Sequence, residues 1–216
     1  MQASAQPDLQ EGTFDFYTSL SEAVPGWTRG DEARELMRFT HALPDGAEVV
    51  EIGSFLGSGT ILLAGARRMR GSGTVHCVDP FDGSGDAFSI PYYDDILQGG
   101  GVQRDRFETA IRDAGLTALV QLHQARAEDL AERWTRPIDL LFLDGDQSRA
   151  GAREVYRKWV PFLKVGGIIA LHNSHPTNHR LEHDGNRCVA EEEIREPKFV
   201  DIRLVDSTTF AVKNER

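Results

Sequence analysis

The sequence is poor in cysteine and has no long apolar run, and each absence excludes a class of protein. Its 216 residues include two cysteines, Cys77 and Cys188, which are too few for a disulfide framework. No apolar run reaches the length of about 20 residues that a membrane helix needs, so we expect no membrane association. The polar N-terminus lacks the basic and apolar regions of a signal peptide. We therefore expect a cytoplasmic protein.

Positive charge is also scarce. The chain carries 24 basic and 34 acidic residues, which gives a formal net charge of −10. Proteins that bind nucleic acid depend on clustered lysine and arginine, and the dense basic group at Arg67–Arg70 falls at the end of a predicted helix. There it complements the negative end of the helix dipole. We therefore expect a small-molecule substrate and no nucleic-acid partner, and the sequence leaves open whether the chain forms a homodimer.

Strand and helix patterns alternate from residue 48 onward, which is typical of a doubly wound α/β fold with a mostly parallel sheet. Helical patterns lie near Thr60–Met69, Arg104–Asp113, Glu128–Trp134 and Gly151–Trp159. The predicted strands of this alternating part are Glu48–Ile52, Thr74–Val78, Leu119–His123, Ile138–Leu143 and Ile168–Leu171.

The end of the chain breaks this alternation. Two further β-rich runs, Phe199–Val205 and Thr208–Val212, are joined by two residues, which suffice for a hairpin but not for a parallel crossover. The sheet is thus predicted to have seven strands and a C-terminal antiparallel hairpin. We expect residues 1–30 to form an N-terminal arm or lid and residues 31–216 to form a single domain.

The most informative segment is residues 49–60, V-V-E-I-G-S-F-L-G-S-G-T. An apolar strand enters a glycine loop, and a helical pattern follows, so backbone N–H groups and the helix dipole can hold an anionic group. A dinucleotide-binding loop would need glycine where Leu62 stands, and a P-loop would need lysine where Thr60 stands. The spelling E-x-G-x-x-x-G-x-G therefore argues against both of these nucleotide-binding loops.

Two further strands end in carboxylates. Asp79 follows an apolar strand 20 residues after Gly59, where an acid can accept hydrogen bonds from the ribose hydroxyls of a nucleoside cofactor. Pro80-Phe81 follows and offers an apolar wall for an adenine ring. A second apolar strand delivers Asp144 and Asp146 at its tip, where open α/β sheets bind their ligands.

Taken together, four motifs resemble those of bacterial S-adenosylmethionine (SAM)-dependent O-methyltransferases of the macrocin and cephalosporin-pathway type. Catechol and caffeoyl-CoA O-methyltransferases are more distant relatives. The motifs are E-I-G-x-x-x-G-x-G, V-D-P-F, F-L-D-G-D and L-K-V-G-G-I-I-A-L-H-N, and the match spans about Val49 to Ser174. The resemblance implies a class I methyltransferase with a Rossmann-like fold and SAM as cofactor.

The resemblance also implies the cofactor contacts. Glu51, Gly53 and Ser54 would hold the methionine end, Ser58 would contribute from the loop, and Asp79 would bind ribose. Arg126 stands where many relatives carry an acceptor for the adenine amine, so the backbone of Ala127 would take that role. The full predicted set is Glu51, Gly53, Ser54, Gly57, Ser58, Asp79, Pro80, Ala127 and Asp144.

In those relatives a divalent cation is held at the tips of strands four and five. At the matching positions of this sequence, the resemblance implies Asp144, His172 and Asn173 as ligands of the cation. It also implies that Asp144 and His172 orient and deprotonate the acceptor. A histidine ligand favours Zn²⁺ or Mn²⁺ over Mg²⁺. Gln147 stands where relatives often have a general base, a role that an amide cannot fill.

Three histidines follow His172 within a short span: His175, His179 and His183. Any of the four is a candidate base, because imidazole titrates near neutral pH. His172 is favoured because it is anchored to a strand tip. The later three would share a metal-binding face if the segment were helical, and a solvated histidine-rich loop is the remaining reading.

The acceptor pocket is predicted to come from variable segments. Phe81 to Gly101 is too long for a simple connection, and with the aromatic residues of the N-terminal arm, Trp27 among them, it is predicted to shape that pocket. The predicted reaction is methyl transfer from SAM to a hydroxyl of a sugar, phenol or other secondary metabolite. The alternatives are a module that binds SAM or its demethylated product without catalysis, and an NAD-dependent oxidoreductase.

Overall fold

A computed structural model describes residues 10–98 and 100–215 and shows one seven-stranded sheet in the order β3-β2-β1-β4-β5-β7-β6. The first five strands are parallel and β7 is antiparallel to both of its neighbours. The predicted fold class is confirmed. The strands are β1 (Glu48–Ile52), β2 (Thr74–Asp79), β3 (Val120–Gln124), β4 (Ile138–Leu143), β5 (Leu163–Leu171), β6 (Phe199–Val205) and β7 (Thr208–Lys213).

Helices cover both faces of the sheet. One buried apolar cluster lies beneath α1, α2, α3 and α5, and the other lies beneath α6, α7 and α8. Within the described ranges, no helix is both long and apolar enough to cross a membrane. The helices are α1 (Phe14–Glu22), α2 (Gly30–Ala42), α3 (Ser58–Arg70), α4 (Ile90–Leu97), α5 (Gln103–Asp113), α6 (Ala127–Ala131), α7 (Arg149–Trp159) and α8 (Gly185–Glu193).

The connections of β1 create a cleft. In the sheet, β1 lies between β2 and β4. The helix that follows β1 (α3) packs on one face of the sheet, and the helix that follows β4 (α7) packs on the other face. Ile52 is paired with Leu143, and the amide of Asp144 donates to the carbonyl of Ile52 at 2.9 Å. The loops that follow β1 and β4 therefore lie side by side at the place where an open α/β sheet binds its ligand.

Some elements differ from the sequence-based prediction. β5 begins at Leu163 rather than Ile168, because the Gly-Gly pair lies inside the strand at an irregular register against β4. The helix α8 was not predicted, because its buried side includes the polar residues Asn186 and Arg187, which hide the apolar periodicity. α1 and α4 were not predicted either, and α4 lies within the long segment after β2.

The N-terminal segment is joined to the rest of the structure on two sides. Tyr17 of α1 is buried against Gly65 of α3, where a Cβ atom would clash with its ring. The amides of Asp31 and Glu32, at the start of α2, donate to the carboxylate of Asp206 in the β6–β7 turn at 2.9 and 3.1 Å. Residues 1–9 of the predicted arm lie outside the described residues, and the boundary at residue 30 stays a prediction.

A buried arginine joins α2 to α3. Arg67 is fully buried and donates to the backbone carbonyls of Ser72, Thr40, Leu43 and Pro44. The sequence suggested only a dipole role for this basic group. The planar guanidinium instead satisfies four carbonyls where α2 ends and β2 approaches, which explains why a charge is tolerated there.

We predict that Arg67→Ala destabilises the protein by at least about 3 kcal/mol, because each unpaired buried carbonyl costs roughly 1–3 kcal/mol. Urea unfolding followed by circular dichroism measures the change. Arg68→Ala is the matched control, since Arg68 is exposed on the same helix turn. Equal midpoints for the two variants would contradict the assigned role of Arg67.

Candidate active site

A cavity of about 580 Å³ opens at the carboxyl ends of β1, β2 and β4. This volume lies within the range of roughly 300–1,000 Å³ that is usual for small-molecule sites. Its walls come from the glycine loop after β1, the tips of β2, β4 and β5, the segment before α2 and the segment around α4. Most of the predicted site residues lie at its walls, although they were drawn from separate motifs.

The glycine loop is shaped by close packing against the β4 tip. Gly53 has φ +86°, and a Cβ atom there would lie 2.5 Å from the carbonyl oxygen of Asp144 and from Gly145 Cα. Gly57, at φ +96°, precedes the first residue of α3. Side chains at these two positions would be strained and, at Gly53, would push the two loops apart. Gly53 therefore needs to be glycine for the two loops to meet, whereas Gly57 does not line the cavity and lies against Phe107 and Ile111.

Asp79 closes the loop from the β2 side. One carboxylate oxygen accepts from the amides of Ser54 and Phe55, both at 2.9 Å, and the other accepts from the amide of Phe81 at 2.7 Å. A carboxylate has about four acceptor positions, so a place remains for a ligand hydroxyl. The placement suits the predicted ribose contact. Phe81 does not line the cavity, because its ring turns into the core against Phe107.

Glu51 lies beneath the loop and is 1% exposed. Its carboxylate accepts from the hydroxyl of Ser54 at 2.8 Å and from that of Thr60. Burial raises the pKa of Glu51 to about 7, although these two hydrogen bonds act in the opposite direction. Ser54 and Glu51 thus form one unit, and the hydroxyl of Ser54 is directed to Glu51.

The Ser58 side chain is engaged by residues of the N-terminal segment. Ser58 starts α3 and borders the cavity, but its hydroxyl accepts from the Arg29 guanidinium at 2.5 Å and pairs with Ser21 at 2.9 Å. Arg29 also donates to the carbonyl of Val24 at 2.7 Å. The Ser58 side chain therefore holds the segment between α1 and α2 against the loop.

Pro80, Arg126 and Ala127 line the side of the cavity next to β2 and β3. The carbonyl of Ala127 already accepts from the indole of Trp159 at 3.0 Å. A carbonyl oxygen has two lone pairs, so one remains for an amine. Arg126 is more than half exposed and lies 3.7 Å from Asp82.

His172, at the tip of β5, lies between two carboxylates. Its Nδ1 is 2.6 Å from Asp144 Oδ1 and its Nε2 is 3.4 Å from Glu32 Oε1. Burial alone would lower the pKa of His172, but the two carboxylates outweigh burial and raise this pKa to about 10. Burial would raise the pKa of Glu32, but His172 and the hydroxyls of Ser207 and Thr208 bring it to about 2. The chain Glu32–His172–Asp144 is therefore a buried ion cluster at neutral pH.

This arrangement does not fit the predicted cation site at Asp144, His172 and Asn173. A metal ligand needs a free nitrogen lone pair, and both nitrogens of His172 face carboxylates. The 2.6 Å separation of His172 and Asp144 is that of a direct hydrogen bond. Among residues 10–98 and 100–215, no group of three or more His, Cys, Asp or Glu side chains is placed to hold a metal ion.

The other histidines do not form a shared face. The segment from 175 to 183 contains no helix, so helical spacing does not apply. His175 bonds to Thr177, and His179 is exposed. His183 instead lies at the cavity wall, 3.2 Å from Asp86.

Several residues of the site were not identified from the sequence. Glu32 and Asp86 do not line the cavity, but they contact His172 and His183, which do. Both are single acids outside any motif, so only the fold could place them there. Gln147 donates to Asp144 at 3.1 Å, while its buried Oε1 atom has no hydrogen-bond partner among the described residues. The aromatic rings of Phe55 and Tyr93 stack at a centroid distance of 4.8 Å beside Trp27. An aromatic pocket wall was predicted in general terms, but Phe55 was not expected to be part of it.

Comparison with known proteins gives one family and several similar folds. The family described as "Methyltransferase domain" matches residues 50–174, which is more than half of the chain. The structure of cofactor-bound Rv0187 from MTB is 16% identical, with a TM-score of 0.69, covering 99% of this chain and 94% of that chain. The O-methyltransferase TomG from Streptomyces achromogenes, in complex with SAM, is 16% identical, with a TM-score of 0.63 and coverage of 96% and 92%. The O-methyltransferase NovP is 16% identical, with a TM-score of 0.63, covering 85% of this chain and 80% of that chain.

We predict that His172→Gln destabilises the protein by roughly 3–5 kcal/mol at pH 6 and much less at pH 10.5. The folded pKa of His172 is about 10, above the ordinary value of 6.5, so its stabilisation is complete below pH 6.5 and is lost as pH rises through 10. Urea unfolding at pH 6, 8 and 10.5 measures the difference in the free energy of unfolding between the parent and His172→Gln. His179→Gln, at an exposed site, is the control. A difference from the parent that is the same at all three pH values would show that His172 is not held as a cation.

Proposed function

The chain belongs to the methyltransferase-domain family, and on this premise we propose that it transfers a methyl group from SAM to a hydroxyl of a small-molecule acceptor. The observation that carries the proposal is that one shared cavity of about 580 Å³ has room for both cofactor and acceptor. One side of it has the glycine loop and Asp79, which suit a nucleoside cofactor. The other side has Asp144, Gln147 and His183, which suit a hydroxylated acceptor.

The residues fit the cofactor. The glycine loop keeps side chains away from the cavity floor, and Asp79 retains acceptor capacity for ribose hydroxyls. We assign Glu51, Gly53 and Ser54 to the methionine end and Pro80 with Arg126 and Ala127 to the adenine side. SAM, when bound, supplies a methyl group that is already activated on a sulfonium sulfur. The chain's own residues therefore act chiefly by positioning the acceptor oxygen.

The acceptor side favours a hydroxylated compound with an apolar body. Trp27, Phe55 and Tyr93 provide aromatic surface, and the unpaired Oε1 atom of Gln147 calls for a hydrogen-bond donor on the ligand. Phenols and other hydroxylated secondary metabolites combine both properties. The net charge of −10 argues against a nucleic-acid acceptor.

The proposal is tested by thermal shift and by mass spectrometry. SAM at a hundredfold above Kd should stabilise the protein by about 2.7 kcal/mol, or roughly 5–10 °C, whereas NAD should give no shift. Incubation with SAM and a panel of catechol, caffeic acid and methyl glucoside should yield a product 14 mass units heavier, about the mass of one CH₂. A shift with SAM but no methylated product from a wide panel would favour the non-catalytic binding module. A shift with NAD alone would favour the oxidoreductase.

We predict that Asp79→Ala weakens SAM binding at least tenfold, because it removes the proposed ribose acceptor and frees three loop amides; tenfold corresponds to about 1.4 kcal/mol. Isothermal titration with S-adenosylhomocysteine measures the affinity. Asp82→Ala is the matched control, because Asp82 lies three positions on and is half exposed. Parent-like affinity in Asp79→Ala would make the ribose assignment wrong.

A further inference from the structure

His183 is brought back to the cavity by the turn segment after β5. The side-chain amide of Asn178 donates to the backbone carbonyls of both Asn173 and His183, at 2.8 and 2.9 Å. Glu182, just before His183, has φ +65°, a left-handed conformation that costs energy for a non-glycine residue. Strained backbone of this kind is found where a side chain must be held in one place. The segment thus fixes His183 at the cavity wall.

Asp86 orients the imidazole from the opposite side. This carboxylate is 3% exposed, and its Oδ1 atom is 3.2 Å from His183 Nδ1. Its Oδ2 atom accepts from the Ser89 hydroxyl at 2.9 Å and from the backbone N–H of Gln147 at 3.3 Å. Burial would raise the pKa of Asp86, but His183 and Ser89 outweigh burial and lower it. Asp86 is therefore an ionised acceptor, so Nδ1 of His183 carries the proton.

This leaves the Nε2 lone pair of His183 on the cavity side. The Asn173 side-chain amide lies 3.3 Å from Nε2 and donates to it. A neutral imidazole with the proton on Nδ1 and a lone pair on Nε2 is the form that a general base needs. An acceptor hydroxyl that replaced the Asn173 contact would meet this lone pair directly.

The other candidates lack this geometry. His172 has both nitrogens against carboxylates, and His175 and His179 do not line the cavity. The groups that face His183 are Asp86 and Ser89 from the segment before α4, and Asn173 from the tip of β5. The Phe88 ring lies 4.6 Å from the imidazole ring of His183, and the Arg180 guanidinium lies 5.1 Å from the centre of that Phe88 ring. Asp86 is thus the one charged group within hydrogen-bond distance of His183 in the described part of the chain.

We propose that His183 is the general base of the transfer and that Asp86 is its positioning residue. The inference rests on the proposed function. The acceptor O–H gives its proton to Nε2, an oxygen lone pair forms the new O–C bond to the methyl carbon, and the C–S bond electrons pass to sulfur. The products are a methyl ether, a neutral thioether and an imidazolium stabilised by Asp86.

The first test compares the parent, His183→Gln and Asp86→Asn in methyl transfer to catechol, caffeic acid and methyl glucoside between pH 5.5 and 9.5. We expect His183→Gln to lower kcat about 10²–10⁴-fold, to lose the rise of rate with pH, and to bind S-adenosylhomocysteine within about twofold of the parent. Asp86→Asn should move that rise to lower pH, because it removes the charge that favours the imidazolium. His179→Gln should behave like the parent. A parental kcat and pH profile in His183→Gln would overturn the proposal.

The second test needs no turnover, so it separates failure of this inference from failure of the proposed function. Imidazole ¹⁵N resonances are recorded at pH 8 with and without S-adenosylhomocysteine, and His183 is assigned by its absence in His183→Gln. We expect the Nδ1 atom of His183 to carry the proton and its Nε2 atom to be unprotonated, and we expect Asp86→Asn to increase the fraction with the proton on Nε2. A proton on Nε2 in the parent, or a tautomer that Asp86→Asn does not change, would overturn the proposal. Absent binding of S-adenosylhomocysteine would instead count against the proposed function.

Discussion

The buried ion cluster Glu32–His172–Asp144 links the elements that enclose the cavity. Glu32 belongs to α2, His172 follows β5, and Asp144 follows β4. Glu32 also accepts from Ser207 and Thr208 in the final hairpin. A single imidazolium between two carboxylates thus connects the N-terminal region, the sheet centre and the C-terminus. Removing one member would leave a buried charge without its partner, which is far more costly than losing an exposed ion pair.

This cluster also separates structural from chemical roles among the histidines. Because both nitrogens of His172 lie against carboxylates, neither is left to take a proton from an acceptor. His183 has one carboxylate neighbour rather than two, and its second nitrogen faces the cavity. The number and placement of carboxylates around each ring therefore decide which histidine is suited to proton transfer.

Much of the fold was predictable from local patterns. Apolar runs identified β1 and β4 at their observed bounds, and the short link before Thr208 correctly implied an antiparallel hairpin. The glycine loop, Asp79 and Asp144 were placed at the sheet's carboxyl edge, because a parallel sheet brings its strand tips together. Strand bounds failed where Gly166 and Gly167 looked like a turn but lie within β5.

The pairing of side chains within the site was not predictable. Glu32 reaches His172, and Asp86 reaches His183, through tertiary packing that no local spacing encodes. The sequence favoured His172 as the base from its position at a strand tip. It placed Asp144 beside His172 but gave no sign of Glu32. Phe81 was expected at the adenine side because it closely follows β2. Its backbone has φ +54°, and its ring packs in the core against Phe107.

The central claim is that the cavity holds SAM between the glycine loop and the β4–β5 tips. A crystal structure with S-adenosylhomocysteine and catechol tests it most directly. We expect ribose hydroxyls on Asp79, adenine beside Pro80, and a catechol oxygen at His183 Nε2 facing the thioether sulfur. A nucleoside bound away from Asp79, or an acceptor oxygen directed at His172 with the ion cluster opened, would contradict it.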